Sequence, residues 1–515
     1  MEKLHLLILV LLPTLLGLPL LYICEILWLR PERIRRKLRN QGVRGPKPSL
    51  LHGNTQEIKR IRQELASDEQ KQDTNNYMST LFPHLLLWRE TYGPVFLYST
   101  GAMEVLYVAD PAMIKDMSHC TSTQLGKPTY IKRSRKPLFG EGILVANGDL
   151  WAYERKIVAP EFFMEKIKVM IRIIEEASVP LLEGWETMLD NAGGSREIYV
   201  DDHLRNFSAD VIAKACFGSD FTTGEEIFRK LRQLQTTLSK QDALWKRLPT
   251  KSNKEIQKLE REVRSLILDV ANREKSINDD DSKHNDLLRT IVDGARHCPG
   301  WGGGTAEDFI VDNCKNIYFA GHETTAVTAT WCLMLLATHR TWQDRARAEA
   351  LEVCHGRPTL PDADALRRLK TITMVIQETL RLYPPASMMY REALEDVKLG
   401  GLDVPRGTII QTAMLMLHLD EAVWGPDARE FRPDRFAGGA SAACRPAMAQ
   451  MYMPFGHGPR VCAGQNLAMV ELKVLLARLL SKFAFSPSLG YRHAPAFRLT
   501  IEPGFGMPLL VARLP

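Results

Sequence analysis

A chain of 515 residues, 45% hydrophobic and 25% charged, is long enough to bury a large core, and its mean hydropathy of -0.18 excludes a polytopic membrane protein. The net charge of +6 is modest and much of it lies near the start, so nucleic-acid binding has no support. The 9 cysteines, an odd number with no CxxC pair, show neither a disulfide framework nor a zinc-finger pattern, and the absence of any long Pro/Gly/Ser-rich linker predicts one large globular unit behind a short N-terminal appendage.

That appendage comes first. Residues 6–24 (LLILVLLPTLLGLPLLYIC) carry no charge and suffice to cross a bilayer as a helix, in which Pro13 and Pro19 are better tolerated than in a soluble one. A signal peptide would be shorter and end at small residues, whereas this run continues into Glu25, Trp28 and the basic block RPERIRRKLR at 30–39. Residues 1–29 are therefore expected to be an uncleaved transmembrane anchor in contact with membrane lipid. The basic block places the body on the cytosolic, reducing side.

Residues 30–54 read as a basic hinge in which Gly42, Gly45, Pro46 and Pro48 forbid a continuous helix, and 55–515 form the main body. A hairpin is predicted at 93–111. Helices are predicted at 205–216, 252–275, 307–338, 342–354, 364–382 and 465–482, a polar surface loop at 278–286, and a chain break before the next helix at WGGGT, 301–305. Strand signals otherwise come in short pieces such as 407–413, so the fold class is mainly α with small β-sheets. No GxGxxG or Walker loop occurs, and the chain brings no nucleotide-binding module of its own.

The stretch PFGHGPRVCAG at 454–464 sets Cys462 where a glycine-rich loop meets the apolar helical run QNLAMVELKVLLARLL. Backbone amides and the helix dipole favour a thiolate there. Its residues allow three readings: a buried structural cysteine, an axial metal ligand, or a nucleophile with His457 as base.

The spacing Phe455, Gly456, Gly458, Arg460, Cys462, Gly464 resembles the haem-binding loop of cytochrome P450. ETLR at 378–381 resembles that family's buried Glu378–Arg381 pair, FRPDRF at 431–436 the segment whose Arg435 completes its network, and AGHETT at 320–325 the oxygen-activating kink of the long central helix. WAYER at 151–155 adds Trp151 and Arg155, which in the family approach a haem propionate. The resemblance implies the cytochrome P450 fold with an N-terminal transmembrane helix, haem b (iron protoporphyrin IX) ligated by Cys462, contacts from Phe455, Arg460 and Gly464, and a proton relay through Glu323 and Thr324. Gly321 is expected to leave space on the ligand face, while His322 has no assigned role. It implies insertion of one atom of O2 into a hydrophobic substrate, electrons from NADPH through a separate NADPH–cytochrome P450 reductase, and an address in the endoplasmic reticulum membrane.

Segments 125–170 and 204–235 are similar to a plant subgroup containing gibberellin-oxidising enzymes, which implies a diterpenoid acid hydroxylated at C-13 or epoxidised at the 16,17 double bond. Brassinosteroid, cytokinin or fatty-acid oxidation is the alternative. The resemblance places the substrate pocket on the 130–145 loop, Phe319, Ala320, Pro385, Ala386, Ser387 and Met388, and a carboxylate could be received by Lys132, Arg133, Arg135 or Lys136. A reductase-independent isomerase or dehydratase would lack the Glu323–Thr324 relay, and nothing favours a non-catalytic haem-binding partner.

Overall fold

The computed structural model describes residue 18 and residues 21–66, 77–218, 221–240, 250–276, 287–298, 304–355 and 364–514. Most of the expected anchor and the 278–286 loop lie outside these residues. Among the described residues, no helix is long and apolar enough to cross a membrane.

These residues fall into two compact units, one running to Gly126 and including Met388–Ala413, the other Lys127–Ser387 with Met414 onward. Because the chain leaves the first unit and later returns to it, no linker composition marks the division. A single unit was the natural expectation from sequence for that reason.

The first unit is built on a five-stranded sheet of β1 (Val95–Thr100), β2 (Met103–Val108), β3 (Leu125–Gly126), β4 (Met388–Ala393) and β5 (Ile409–Ala413), in the order β1-β2-β5-β4-β3. β1 and β2 form the expected hairpin, pairing Val95 with Val108 through Thr100 with Met103, and Gly101 turns it at φ 60°. The helix Arg30–Arg39 buries Ile34 and Leu38, and its Arg35 reaches Glu104 of β2 at 2.6 Å. The expected hinge runs along β1, with Leu97 N donating to Arg44 O at 2.9 Å and Asn54 N to Ser99 O at 2.7 Å. Ahead of this helix, Leu21, Tyr22, Ile23, Ile26, Leu27 and Trp28 are exposed.

The second unit is helical. Its 33-residue central helix, Ala306–Thr338, starts at a capping box in which Thr305 Oγ1 accepts from Asp308 N and Asp308 Oδ2 accepts from Thr305 N. Nearly every residue of this helix from Phe309 on is buried, the polar Asn313, Lys315, Asn316, His322 and Glu323 included. Around it stand Gly148–Val158, Met164–Asp190, Val200–Phe217, Phe221–Ser239, Lys251–Ser276, Arg340–Val353, Lys370–Leu382 and Gln465–Lys482. The predicted helix at 364–382 is broken, because Leu369 at ψ 66° separates Ala365–Arg368 from Lys370–Leu382. Met164–Asp190, not singled out from sequence, continues through Pro180, a residue that ordinarily argues against a helix interior.

Candidate active site

The loop before the helix Gln465–Lys482 bends at Gly456 (φ 75°) and Gly458 (φ 68°), conformations that favour glycine. Cys462 N donates to Phe455 O at 2.8 Å, closing the loop, and Gly464 caps the helix. Cys462 keeps accessible surface although it lies deep in the protein, which means that the thiol faces an internal space. Burial raises its pKa, while the Gly464 amide and the Arg155 guanidinium pull it down. A metal cation on the sulfur would tip that balance to the thiolate. His457, the base that the nucleophile reading requires, commits Nε2–H to Gln450 O at 2.6 Å.

Trp151, Arg155 and Arg460 gather beside this loop. The Arg460 guanidinium lies 4.5 Å from the Trp151 ring centroid and donates from Nη2 to Ala146 O at 2.7 Å and Asn147 Oδ1 at 2.8 Å. Arg155 is half-buried, with burial lowering its pKa and the Cys462 sulfur raising it. No hydrogen bond or ion pair meets its guanidinium among the described residues, so an anion is wanted there. Among the described residues there is also no cluster of three metal-ligating side chains. Iron in a porphyrin brings four nitrogen ligands and two carboxylates of its own, and so asks of the protein one thiolate and basic side chains such as those found here. The residues present fit haem on these grounds.

The central helix presents Phe319, Ala320, Gly321 and Thr324 as partly accessible residues within an otherwise buried stretch. Thr324 Oγ1 donates to Ala320 O at 2.6 Å, leaving its lone pairs to accept a proton donor. Gly321 serves a different purpose from the one expected. A Cβ there would lie 2.4 Å from Ile212 Cδ1, so the glycine admits the helix Val200–Phe217 rather than opening space for a ligand.

Glu323 is buried and held by two arginines, Arg205 Nε at 3.7 Å and Arg232 Nη1 at 3.3 Å. Arg205 in turn meets Glu502 at 2.9 Å and Asp201 at 3.1 Å; burial opposes its charge, yet these carboxylates hold its pKa above the ordinary value. His322 packs on Phe228 with ring centroids 4.7 Å apart, and burial, then Arg205 and Arg232, lower its pKa to about 3. It is a neutral packing residue.

Glu378 and Arg381 form a fully buried bidentate pair, with both bonds at 2.7 Å. Arg435 Nε lies 3.4 Å from Glu378 Oε1, and Arg432 N donates to the same oxygen at 2.9 Å. Arg381 further donates to the carbonyls of His418, Ala428 and Glu430, so the buried charges are saturated. His418 carries the network to the cysteine loop, because its Nε2 accepts from Met453 N at 3.0 Å, two residues before Phe455. Burial and then Arg381 lower its pKa to about 3, which keeps that nitrogen free to accept.

Of the expected pocket residues, Pro385 and Ser387 are buried and Ala386 is exposed; Pro385 O accepts from Ile501 N at 3.2 Å. Met388 belongs to β4 of the other unit, where its sulfur accepts from Gln411 Nε2 at 3.5 Å. Phe319 meets Phe139 edge-on at 5.2 Å.

Several contributors escaped the sequence reading. Arg205, Arg232 and His418 lie outside the recognised motifs. Glu154 stands between the two motif residues of WAYER, where burial raises its pKa to about 8 while Asn313 Nδ2 donates to Oε1 at 2.9 Å. Separately from this site, the first unit buries Arg391, which donates to Tyr390 O at 3.1 Å and whose pKa burial lowers to about 10. A single arginine in a strand carries no signal of its own.

Residues 78–506 match the family described as Cytochrome P450. The chain is 68% identical to Cytochrome P450 714C3 of Oryza sativa subsp. japonica over 100% of both chains. It is 55% identical to Cytochrome P450 714C2 of the same plant, over 96% of this chain and 95% of that one. Against Cytochrome P450 714A2 of Arabidopsis thaliana the identity is 43% over 93% of each. With the Cys462 thiol facing an internal space, and with this length of match, the chain belongs to the cytochrome P450 family, as a haem-thiolate monooxygenase of the 714 subfamily that uses O2 and electrons from a redox partner.

Proposed function

We propose that this monooxygenase oxidises a gibberellin or a closely related diterpenoid acid, by C-13 hydroxylation or 16,17-epoxidation. What supports a monooxygenase site of this kind is that the Cys462 thiol opens to an internal space and that Phe319, Ala320 and Thr324 stay accessible on an otherwise buried central helix. The similarity of segments 125–170 and 204–235 to gibberellin-oxidising enzymes supports the substrate class.

Cys462 would hold the iron of haem b, Phe455 and Gly464 would shape the loop beside it, and Arg155, Arg460 and Trp151 would receive its carboxylates, the arginines as charged donors. When bound, the haem supplies the activation of O2, one oxygen atom entering the substrate and the other leaving as water as two electrons and two protons are consumed. Phe319 and Ala320 exclude water and offer an apolar wall. Thr324 takes up and passes on protons at Oγ1, with its own hydrogen directed to Ala320 O. Glu323, fixed by Arg205 and Arg232, supplies the neighbouring acid. Electrons come from NADPH through NADPH–cytochrome P450 reductase. The apolar run 6–24 and the exposed apolar residues up to Trp28 support an anchor in the endoplasmic reticulum membrane, with the body cytosolic.

The test uses microsomes containing this protein, the plant reductase and NADPH, with a panel of 13-deoxy gibberellins. An NADPH-dependent product one oxygen atom heavier is expected, and its fragmentation distinguishes hydroxylation from epoxidation. No turnover, with an intact haem–thiolate carbon-monoxide spectrum, overturns the gibberellin reading and directs the search to steroids, cytokinins and fatty acids.

A further inference from the structure

The structure separates the four basic side chains of segment 132–136. Lys132 is paired with Glu141 at 2.8 Å, and Arg133 and Lys136 are exposed. Arg135 is half-buried, burial lowers its pKa, and no hydrogen bond or ion pair meets its guanidinium among the described residues. The nearby buried Lys315, by contrast, is neutralised by Asp312 at 3.0 Å.

The backbone that carries Arg135 is rigid. Its N–H donates to Ile131 O at 2.9 Å, and its carbonyl accepts from Leu138 N at 3.0 Å and Phe139 N at 2.9 Å. One residue further, Gly140 at φ 57° sits so close to the central helix that a Cβ would lie 1.9 Å from the Asp312 carboxylate. Glu141 N donates to that carboxylate at 2.8 Å and Leu144 N to Asn316 Oδ1 at 2.8 Å, fastening the segment to the helix. Arg135 stands between the short helices Thr129–Ser134 and Lys136–Phe139, and the Phe139 N–H bond to its carbonyl keeps the two residues one turn apart. Phe139 touches Phe319, which belongs to the accessible strip beside Thr324.

We propose that Arg135 is the residue that receives the carboxylate of the substrate and thereby makes the site selective for acids. A half-buried guanidinium without a counter-charge gains most from a planar anion, which its fork can hold through two parallel bonds. A site built around such a group rejects an analogue that lacks the anion. The inference rests on the monooxygenase reading and assigns the residue that reads the acid group of its substrate.

The test is a substrate-induced spectral titration of the holoenzyme in microsomes, wild type beside Arg135→Gln and Arg135→Lys. Gibberellin acids and a long-chain fatty acid are each compared with their methyl esters, and haem content is read from the carbon-monoxide spectrum. The wild type is expected to bind at least one acid about tenfold or more tighter than its ester, Arg135→Gln to lose that preference with ester affinity and haem content unchanged, and Arg135→Lys to keep part of it. If no acid is preferred over its ester in the wild type, or if Arg135→Gln keeps the preference, the proposal is overturned. Loss of haem in Arg135→Gln also overturns it, because the guanidinium then serves a haem carboxylate. Arg135-dependent preference for the fatty acid alone upholds it while removing the gibberellin reading.

Discussion

Cys462 and Thr324 each show how a side chain takes its role from a few neighbours. Around the thiol, burial works against ionisation while one amide and one guanidinium work for it, so the sulfur is poised to become a thiolate when a cation arrives. Cys462→Ser is expected to abolish the haem–thiolate carbon-monoxide spectrum; its survival would remove this residue as the ligand. Thr324 commits its hydrogen to Ala320 O and retains only acceptor capacity. Thr324→Ala should keep haem and substrate binding while diverting reducing equivalents to peroxide, measured as peroxide formed per NADPH consumed. Full coupling in that variant would refute the relay.

The central helix and its neighbour Val200–Phe217 meet where Gly321 faces Ile212. Gly321→Ala would force the buried Ile212 to yield, at a cost of about 1 kcal/mol or more from overpacking. Combining it with Ile212→Val, which removes Cδ1 but leaves Cγ1 2.9 Å from the new Cβ, should restore part of the loss in a thermal melt. A substitution at Gly321 that left stability unchanged and altered only substrate affinity would favour the ligand-facing role instead. The sequence identified this glycine but not its direction, since helical periodicity locates a face only when buried and exposed sides differ, and this helix is buried on nearly every side. The extent of Met164–Asp190 and the break at Leu369 were likewise illegible, because packing overrides the local preference at Pro180 and a single ψ angle ends a helix without a marker residue.

Across the molecule, buried titratable groups set how stability depends on pH. His84, His322 and His418 have pKa values lowered to about 3, chiefly by burial. The unfolded chain protonates them near their ordinary value while the folded chain does not, so stability falls as pH drops below about 6.5, by about 1.4 kcal/mol per pH unit for each histidine. Glu471 acts in the opposite sense. Burial raises its pKa to about 8, so the folded state keeps a proton that the unfolded state releases above its ordinary value. Stability therefore falls as pH rises from about 4.5 towards 8. Glu471→Gln should raise the unfolding temperature at pH 8 relative to wild type more than at pH 5, and an equal shift at both would contradict the assignment. Deleting residues 1–29 is expected to release at least part of the protein from membranes, as read by sedimentation. Full retention would place the anchor elsewhere.

The family was legible in the chain alone, through its resemblance at the cysteine loop, the ETLR and AGHETT segments and the separate FRPDRF segment that carries Arg435. Residues at short spacings, such as Glu378 with Arg381 and Glu323 with Thr324, stay neighbours whatever the fold does. The mainly helical class also followed from periodicity. What folding alone could settle were relations between distant residues: Arg205 and Arg232 closing on Glu323, His418 joining the buried ion pair to the loop before Phe455, and Gly321 facing Ile212. The same holds for the arginines, because whether Arg135 or Lys132 finds a counter-charge depends on which carboxylate the fold delivers to it, and no spacing in the sequence encodes that.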